Sequence, residues 1–503
     1  MIRREFLAGL TGLSALAAAP AISFAQTPMN LGQQWDVIVI GSGLAGLSAA
    51  LSASENGADR ILVIEKLPVL GGHSRLSTGS FLAVSPKRLE PLGIHTSVDA
   101  VLEEMMEVGG GIGNKDLAQS DAAMDWLETH GLVWNPEPYV AVGSPSAYAF
   151  RTIQGFTGSH YIFKLNQRAR ERGVRFLYDQ PVTDLLQDPV SGNVNGVKSK
   201  NHEVIYIRGN AVVIATGGYS ANNALCRKFN SEISALMPST ANPGGRYLDG
   251  AWGDALEFTK PFHAATVDLD KIQKICFLGG RLVDYTGADI YLNKNGLRFV
   301  NEGASHGDVL VELLKQPQRA MWVITDSQSK KGLSLENKLA DGAVKKFDSL
   351  RQVAAFIGCP AETLEETVTR YNDFVLKGAD KDFGKKVMLQ TISYPPFYVG
   401  QERVGVHYCC GGLKFNEKAQ VLNTSDEPIA GLYVAGEASG GVHGKDRLGG
   451  IGLTDAVVFG RIAGREAALL ERASEHTEFR YVPPRSRSVQ ELDASADFEP
   501  TSD

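Results

Sequence analysis

The sequence is poor in cysteine, with five residues in a chain of 503. An odd and low count excludes a disulfide framework as the basis of the fold. The chain has no C-x-x-C-H motif, so it attaches no c-type haem of its own. It also lacks the Cys and His spacing that is typical of a zinc site.

Positive charge and long apolar runs are scarce as well. The 50 Lys and Arg residues are outnumbered by 57 Asp and Glu residues, which gives a net charge of −7. This balance excludes the basic footprint of a nucleic-acid-binding protein. No internal apolar run is long enough to span a membrane. With 43% hydrophobic and 21% charged residues, a chain of this length is expected to be globular, with two or more cores.

The two ends of the chain differ from the rest. Arg3 and Arg4 precede an apolar stretch, and Ser23-Phe24-Ala25 is a small-x-small cleavage site. Residues 1–25 are therefore predicted to be a signal peptide, and the paired arginines indicate the twin-arginine route to the periplasm. An uncleaved anchor helix is the less favoured alternative, because the apolar part is short and rich in Ala and Gly. At the other end of the chain, the polar, Pro- and Ser-rich segment 481–503 is predicted to be a disordered tail.

A nucleotide-binding unit is predicted near the start of the mature chain. Trp35–Ile40 is a β-branched strand, Gly41-Ser42-Gly43-Leu44-Ala45-Gly46 follows at once, and Leu47–Glu55 indicates a helix. A second strand ends at Glu65. Strand, glycine turn, helix, strand and acid occur in the order of the dinucleotide fingerprint, and this order favours a dinucleotide site over a chance G-x-G-x-x-G.

Two later strands predict how the domains are arranged. Ala211–Ile214 runs into Ala215-Thr216-Gly217-Gly218, and Ile429–Val434 runs into Ala435-Gly436-Glu437. The fold class is therefore predicted as α/β, with a Rossmann-like domain that residues 33–261 and 405–480 form together. Residues 262–404 are predicted to be an inserted α+β capping domain.

The run from Gly436 to Gly450 contains His443 and Arg447 in a glycine-dense turn that leads into a helix. Such a turn lets backbone N–H groups approach an anion, and the helix N-terminus adds positive potential. A guanidinium there is suited to holding a carboxylate by two hydrogen bonds. The run predicts a site where a cofactor and an anionic substrate meet; the alternative is a structural Arg447 that bridges carboxylates such as Asp446.

Together these motifs resemble the flavoprotein subunits of the fumarate reductase and succinate dehydrogenase superfamily, most of all the soluble periplasmic members of flavocytochrome c type. Further matching segments are Glu65-Lys66, Gly71-Gly72-His73-Ser74, Gly405-Val406-His407 and Glu437–Asp455. The resemblance implies FAD, a capping domain over the flavin, and hydride transfer to or from a carbon–carbon bond. The cofactor-binding residues that it implies are Gly41, Gly43, Ala45, Gly46, Glu65, Lys66, Gly72, His73, Ser74, Gly79, Val182, Ala215, Thr216, Gly217, Glu437, Gly450 and Leu453.

The same resemblance implies three catalytic residues. Arg447 matches the substrate-carboxylate arginine, and His407 matches the histidine that donates a hydrogen bond to the substrate acyl oxygen; Tyr408 stands where many relatives have a second histidine. His306 stands where many fumarate reductases have the proton-donating arginine. A histidine is able to protonate carbon, and a lost or displaced role is the open alternative.

Other departures from the family bear on the substrate. Arg281 and Leu282 align where fumarate reductases hold the second carboxylate with a Thr-Glu pair. Fumarate itself is therefore not expected, and a monocarboxylic enoate with an apolar or aromatic substituent fits better.

Two local features leave alternatives open. His73 falls where membrane-bound relatives attach FAD covalently, and a hydrogen bond from His73 to dissociable FAD is the favoured alternative. Cys409 and Cys410 are read as a small apolar wall, with a vicinal disulfide or two pocket-lining thiols as alternatives.

The predicted function is therefore a periplasmic, FAD-dependent reductase of the C=C bond of an α,β-unsaturated carboxylate. Because the chain has no haem or iron–sulfur ligands, a separate redox protein is expected to supply its electrons. The alternatives are a dehydrogenase or oxidase that desaturates a carboxylate or ketone, and a flavin electron-transfer subunit without a substrate.

Overall fold

A computed structural model describes residues 29–470, apart from 119, 156, 241–249, 278, 333 and 334. The predicted signal peptide, 1–25, and the predicted tail, 481–503, lie outside the described residues. No helix within the described ranges is both long and apolar enough to cross a membrane.

Nineteen strands are found among the described residues. In chain order they are β1 Trp35–Ile40, β2 Ile61–Ile64, β3 Phe81–Leu82, β4 Tyr139–Val140, β5 Tyr148–Phe150, β6 Arg175–Leu177, β7 Val182–Gln187, β8 Val194–Lys200, β9 Val204–Ile214, β10 Thr266–Val267, β11 Ile272–Ile275, β12 Ile290–Leu292, β13 Met321–Thr325, β14 Val344–Phe347, β15 Phe397–Glu402, β16 Gly405–Cys409, β17 Gly412–Leu413, β18 Gln420–Leu422 and β19 Pro428–Val434.

The same ranges contain fourteen α-helices and four short 3₁₀ turns. The helices are α1 Leu44–Glu55, α2 Gly72–Leu76, α3 Pro86–Leu89, α4 Val98–Gly109, α5 Lys115–Ala118, α6 Asp121–Thr129, α7 Ser159–Glu171, α8 Asn223–Phe229, α9 Asp254–Phe258, α10 His306–Leu314, α11 Leu335–Ala340, α12 Leu350–Ile357, α13 Ala361–Lys377 and α14 Ile451–Leu469.

The main sheet confirms the predicted fold class. Its order is β18-β19-β9-β1-β2-β6, and β19, β9, β1, β2 and β6 run parallel. The long strand β9 also pairs with β8, which pairs with β7. Strand β1 has the predicted bounds, whereas α1 begins three residues before the predicted helix. Because β1, β9 and β19 are neighbours, the glycine turns that follow them meet at one edge of the sheet.

Helices α1 and α14 pack closely on one face of this sheet. A Cβ on Gly460 would lie 2.6 Å from the Ala45 carbonyl oxygen, and one on Gly464 would lie 2.0 Å from the Ala49 carbonyl oxygen. Only glycine permits this approach. The packing places the first turn of α1 against the middle of α14, although about 400 residues of chain separate them.

The segment of chain between β9 and β18 contains a second body of structure. Strands β12, β13, β15 and β14 form a four-stranded antiparallel sheet with helices α12 and α13 against it. Strand β11 of the same region pairs with β16, which carries His407. The boundaries 33–261, 262–404 and 405–480 stay predictions.

Candidate active site

One cavity of about 1140 Å³ contains nearly all of the predicted site residues. Its volume exceeds the roughly 300–1000 Å³ of a pocket for a single small ligand. It is lined by Gly41, Gly43, Ala45, Glu65, Lys66, Gly72, His73, Ser74, Gly79, Val182, Ala215, Thr216, Gly217, His306, His407, Glu437, Arg447, Gly450 and Leu453. Gly46 is the one predicted residue that is not among the lining residues.

The turn after β1 explains the position of Gly46. Gly41 has φ +105°, and a Cβ there would lie 2.3 Å from the Ala215 carbonyl oxygen. A Cβ on Gly46 would lie 2.0 Å from the Gly41 carbonyl oxygen. Gly41 therefore allows the turn and Gly46 allows α1 to start directly beneath it.

Glu65 is held rigidly at the end of β2. Its carboxylate accepts hydrogen bonds from the Ser42 N–H at 2.9 Å, the Ser42 hydroxyl at 2.7 Å and the Leu67 N–H at 2.9 Å. Lys66 donates to Asp254 at 2.7 Å. The acid of the fingerprint is thus fixed beside the glycine turn.

Two helices start at the cavity, and neither is capped by the residue that precedes it, although the Leu44 N–H of α1 donates to the Ser74 hydroxyl at 3.2 Å. Gly43 precedes α1 and Gly450 precedes α14, and neither first turn contains an acidic residue. Uncapped N–H groups and the helix dipole favour an anionic or electron-rich group. The cradle of glycines and these two helix starts fit FAD, with the residues around Gly43 and Ala45 suited to its phosphates.

Arg447, His407 and Thr240 form a connected chain of side chains in the cavity. Arg447 Nη2 lies 2.9 Å from His407 Nε2, and Thr240 Oγ1 lies 2.8 Å from His407 Nδ1. A guanidinium only donates, so Nε2 accepts and the proton of the neutral imidazole is on Nδ1. Burial and the charge of Arg447 hold the pKa of His407 well below its usual value. In this geometry Nε2 does not donate, unlike the predicted role toward a substrate.

The charge of Arg447 has no carboxylate partner in the described part of the chain. Arg447 is 9% exposed, and its guanidinium donates to the Leu448 carbonyl at 3.1 Å and lies over the Tyr408 ring at 4.4 Å. Its buried Nε has no hydrogen-bond partner among the residues that the structure describes. By contrast, the buried Arg281 pairs with Asp289 and the buried Arg298 pairs with Glu302.

The carboxylate of Asp446 bonds to backbone and amide groups instead of the Arg447 side chain. It accepts from the Gly307 N–H at 2.9 Å, from the Arg447 N–H at 2.9 Å and from the Gln273 side chain. Gln273 also donates to the Arg447 carbonyl at 3.0 Å. The structure therefore does not support the alternative in which Arg447 bridges Asp446. Asp446 and Gln273 instead position the turn, a role that no local motif indicates.

His306 lies at the start of α10 and points into the cavity. Its ring centroid is 6.4 Å from that of His407 and 5.7 Å from that of Phe277. A Cβ on Gly143 would lie 2.3 Å from His306 Nε2, and the buried Nδ1 has no hydrogen bond among the described residues. Burial, with the charges of Arg447 and Arg281, lowers the pKa of His306 to about 3.

The ring of Tyr408 packs against the guanidinium of Arg447. Its hydroxyl donates to Asp455 at 2.9 Å, and His443 Nε2 lies 3.4 Å from the same oxygen. Burial, together with Asp455, raises the pKa of Tyr408 well above its usual value. His443 is 5% exposed and is not among the cavity-lining residues. Of the two residues that the sequence singles out in the glycine run, Arg447 therefore faces the cavity and His443 helps to hold Tyr408.

The structure also gives the positions of His73 and of the pair Cys409-Cys410, for which the sequence leaves alternatives open. His73 Nδ1 lies 3.6 Å from Glu437 Oε2, at the cavity wall. Cys409 and Cys410 are buried free thiols, and neither lines the cavity. Burial raises the pKa of Cys410. The structure thus contains neither the vicinal disulfide nor the pocket-lining thiols, and the reading as buried wall residues agrees with it.

Arg281 and Leu282, which align with one pair of residues in fumarate reductases, lie in different environments. Arg281 lines the cavity, whereas Leu282 is 3% exposed and does not. Phe277 also lines the cavity between Arg281 and His306.

Comparison with known proteins places this geometry in context. A family model described as an FAD binding domain matches residues 36–453. The chain is 32% identical over 447 residues to a fumarate reductase (cytochrome) of Shewanella frigidimarina, covering 86% of this chain and 77% of that protein. It is 31% identical over 474 residues to a urocanate reductase of Eggerthella lenta, covering 88% and 76%. The open conformation of a flavocytochrome c3 fumarate reductase superposes with a TM-score of 0.64 at 30% identity, covering 87% and 78%.

Proposed function

This chain belongs to the FAD-binding flavoprotein family of the fumarate reductases, and we propose that it reduces the C=C bond of an α,β-unsaturated monocarboxylate. It is an FAD-dependent oxidoreductase that acts on CH–CH groups. FAD, when bound, supplies the hydride. The protein must then hold the carboxylate, position the double bond and deliver a proton.

The unpaired charge of Arg447 is the observation that carries this proposal. A buried guanidinium without a counter-ion is costly, and a bound carboxylate removes that cost. Tyr408 lies beneath the guanidinium plane at 4.4 Å and so fixes its orientation. The free Nε and the Nη2 group, which now contacts His407, are the two donors that a carboxylate would take bidentately.

His407 is proposed to assist once the Nη2 group of Arg447 donates to the substrate instead of to His407. Its Nε2 then loses the Arg447 donor. The Thr240 hydroxyl both donates and accepts, so it is able to reverse its hydrogen bond and donate to Nδ1. His407 Nε2–H then donates to the substrate carboxylate, as the family resemblance implies. Thr240 is thus the group that permits both tautomers.

His306 is proposed to deliver the proton to the α carbon. Its pKa is low partly because Arg447 is positive. A carboxylate bound to Arg447 offsets that charge and raises the pKa of His306, so substrate binding favours protonation of the imidazole. His306 lines the cavity, and its ring packs against Gly143, which limits the rotation of the ring.

The reverse reaction, desaturation of a saturated carboxylate, is the second candidate. The neutral state of His306 favours it, because a neutral imidazole is able to accept the α proton. A third candidate, an electron-transfer subunit without a substrate, leaves the unpaired charge of Arg447 unexplained.

Two further proposals concern the cofactor and the cell compartment. His73 contacts Glu437 at the cavity wall, and we expect it to hydrogen-bond dissociable FAD; acid precipitation that leaves flavin fluorescence on the denatured protein would contradict this. The paired Arg3 and Arg4 predict export of the enzyme to the periplasm. A separate redox protein is proposed to supply its electrons, because the sequence has no C-x-x-C-H haem motif. Substitution of both arginines by lysine is expected to leave the protein in the cytoplasmic fraction.

The direction and substrate class are tested by two assays on the same holoenzyme. We expect anaerobic oxidation of reduced methyl viologen with enoates such as crotonate or cinnamate. Aerobic peroxide release with the corresponding saturated acids is expected to be much slower. Peroxide release without any viologen-dependent reduction would favour the desaturase, and no turnover in either assay would favour the electron-transfer subunit.

A further inference from the structure

The cavity contains a second buried guanidinium, connected to the first by a row of ring side chains. From Arg447 the row runs to His407, His306, Phe277 and Arg281. Arg447 contacts His407 at 2.9 Å, and the rings of His407 and His306 are 6.4 Å apart. The rings of His306 and Phe277 are 5.7 Å apart, and the Arg281 guanidinium lies 5.2 Å from the Phe277 ring centroid. All five residues line the same cavity.

The two guanidinium groups differ in their charge balance. Arg281 Nε donates to Asp289 at 2.7 Å, and Nη2 donates to the Tyr285 carbonyl at 3.0 Å. Its charge is thus matched by Asp289, whereas that of Arg447 is not matched by any described carboxylate. Of these two guanidinium groups, only that of Arg447 lacks a carboxylate partner among the described residues, so a bound anion would stabilise it.

Arg281 nevertheless keeps a donor for a ligand. Its Nη1 has no hydrogen bond among the described residues, and the side chain is 7% exposed. A second acid, Asp284, lines the cavity nearby, and burial raises its pKa. A carboxylate at this end would lie near Lys338 as well as Asp284, but the charge of Arg281 itself is already matched by Asp289. A neutral acceptor would take the Nη1 donor at lower cost.

We propose that Arg281 is a specificity-determining residue, which donates a hydrogen bond to a neutral acceptor at the distal end of the substrate. The substrate class is then an enoate with one carboxylate at Arg447, an apolar planar body against Phe277, and a neutral oxygen or nitrogen acceptor at Arg281. This inference rests on the proposed function. It deepens the expectation of an aromatic substituent by adding an acceptor to it.

The test compares kcat/KM of the holoenzyme for cinnamate, 4-methoxycinnamate and fumarate. For the wild type we expect 4-methoxycinnamate to exceed cinnamate, and both to exceed fumarate. In Arg281→Lys the charge opposite Asp289 is kept but the fixed Nη1 donor is lost. The ratio of 4-methoxycinnamate to cinnamate is expected to fall about tenfold or more, the usual effect of a lost buried hydrogen bond.

Two further variants separate specificity from damage to the fold. Arg298→Lys is the matched control, because Arg298 is equally buried and ion-paired but does not line the cavity. We expect it to leave the ratio unchanged. Asp289→Asn keeps the shape but unpairs the charge of Arg281, so the ratio of fumarate to 4-methoxycinnamate is expected to rise.

Three results would overturn the inference. A wild-type preference for fumarate would show that Arg281 acts as a second carboxylate clamp. Equal losses for both cinnamates in Arg281→Lys would show that Arg281 is structural. In both cases enoates are still reduced, so the proposed function survives. No turnover with any of the three enoates in the viologen assay would instead overturn both.

Discussion

The backbone N–H of Gly307 donates to the carboxylate of Asp446 across 2.9 Å. This bond joins the start of α10, where His306 lies, to the glycine turn that contains Arg447. The same carboxylate accepts the Arg447 N–H. The proposed proton donor and the proposed carboxylate clamp are therefore positioned by one buried side chain, and their separation depends on it.

Asp446→Asn is expected to lower kcat/KM with enoates about 10- to 100-fold, because one carboxamide oxygen cannot replace both carboxylate oxygens and small displacements of reacting groups are costly. Steady-state kinetics under anaerobic conditions measures the change. Asp308→Asn is the control, since Asp308 bonds to Ser305 at the start of the same helix without reaching the turn. An equal loss in both variants would show that only the stability of α10 matters.

Thr240→Val is expected to lower kcat/KM about tenfold, because a buried imidazole nitrogen loses its partner and one tautomer loses its support. Thr240→Ser keeps the hydroxyl and is expected to recover most of the rate. If serine does not recover more activity than valine, the methyl group of Thr240 is what matters and the tautomer argument is wrong.

Gly143→Ala is expected to displace the His306 ring. The new Cβ would lie 2.3 Å from Nε2, and the residue has φ +78°. Gly155→Ala is a matched control, because Gly155 has φ +84° and open space around it. Both variants pay the backbone cost of about 1–2 kcal/mol in the free energy of unfolding. Only Gly143→Ala is expected to lose turnover, and similar kinetics in the two would contradict the placement of His306.

The low pKa of His306 predicts a contribution to acid unfolding. The folded pKa of about 3 lies below the unfolded value near 6.5. Stability from this group is therefore fully present above pH 6.5 and is lost as the pH falls toward 3, by about 1.4 kcal/mol per pH unit. His306→Asn is expected to reduce the pH dependence of the unfolding free energy in urea by nearly one proton. His95→Asn, at an exposed histidine, serves as the control, and an unchanged slope in His306→Asn would contradict the neutral buried state.

The sequence alone is sufficient to predict features that depend on residues close to one another in the chain. The turn after β1 needs Gly41 and Gly46 within a few residues of each other, so its pattern predicts both the fold and the cofactor. The parallel sheet also follows from the order of its buried strands. Thr240, Gln273 and the bond between Gly307 and Asp446 were not predicted, because each contact joins segments far apart in the chain.

The same reason explains what the sequence left open at Arg281. The family resemblance assigns Arg281 and Leu282 to one position opposite Arg447. In the structure, Arg281 lines the cavity, whereas Leu282 is buried and does not line it. The pairing of Arg281 with Asp289 decides whether its charge is available, and only the folded geometry shows that pairing.

The unpaired charge of Arg447 is tested most directly by comparing an enoate with its primary amide in the wild type and in Arg447→Gln. The measurement is kcat/KM for both substrates with enzyme of equal flavin content. The wild type is expected to prefer the carboxylate, and the variant is expected to lose about 100-fold or more on the carboxylate but much less on the amide. Equal losses on both substrates, or no loss on the carboxylate, would contradict the role of Arg447 as the carboxylate clamp.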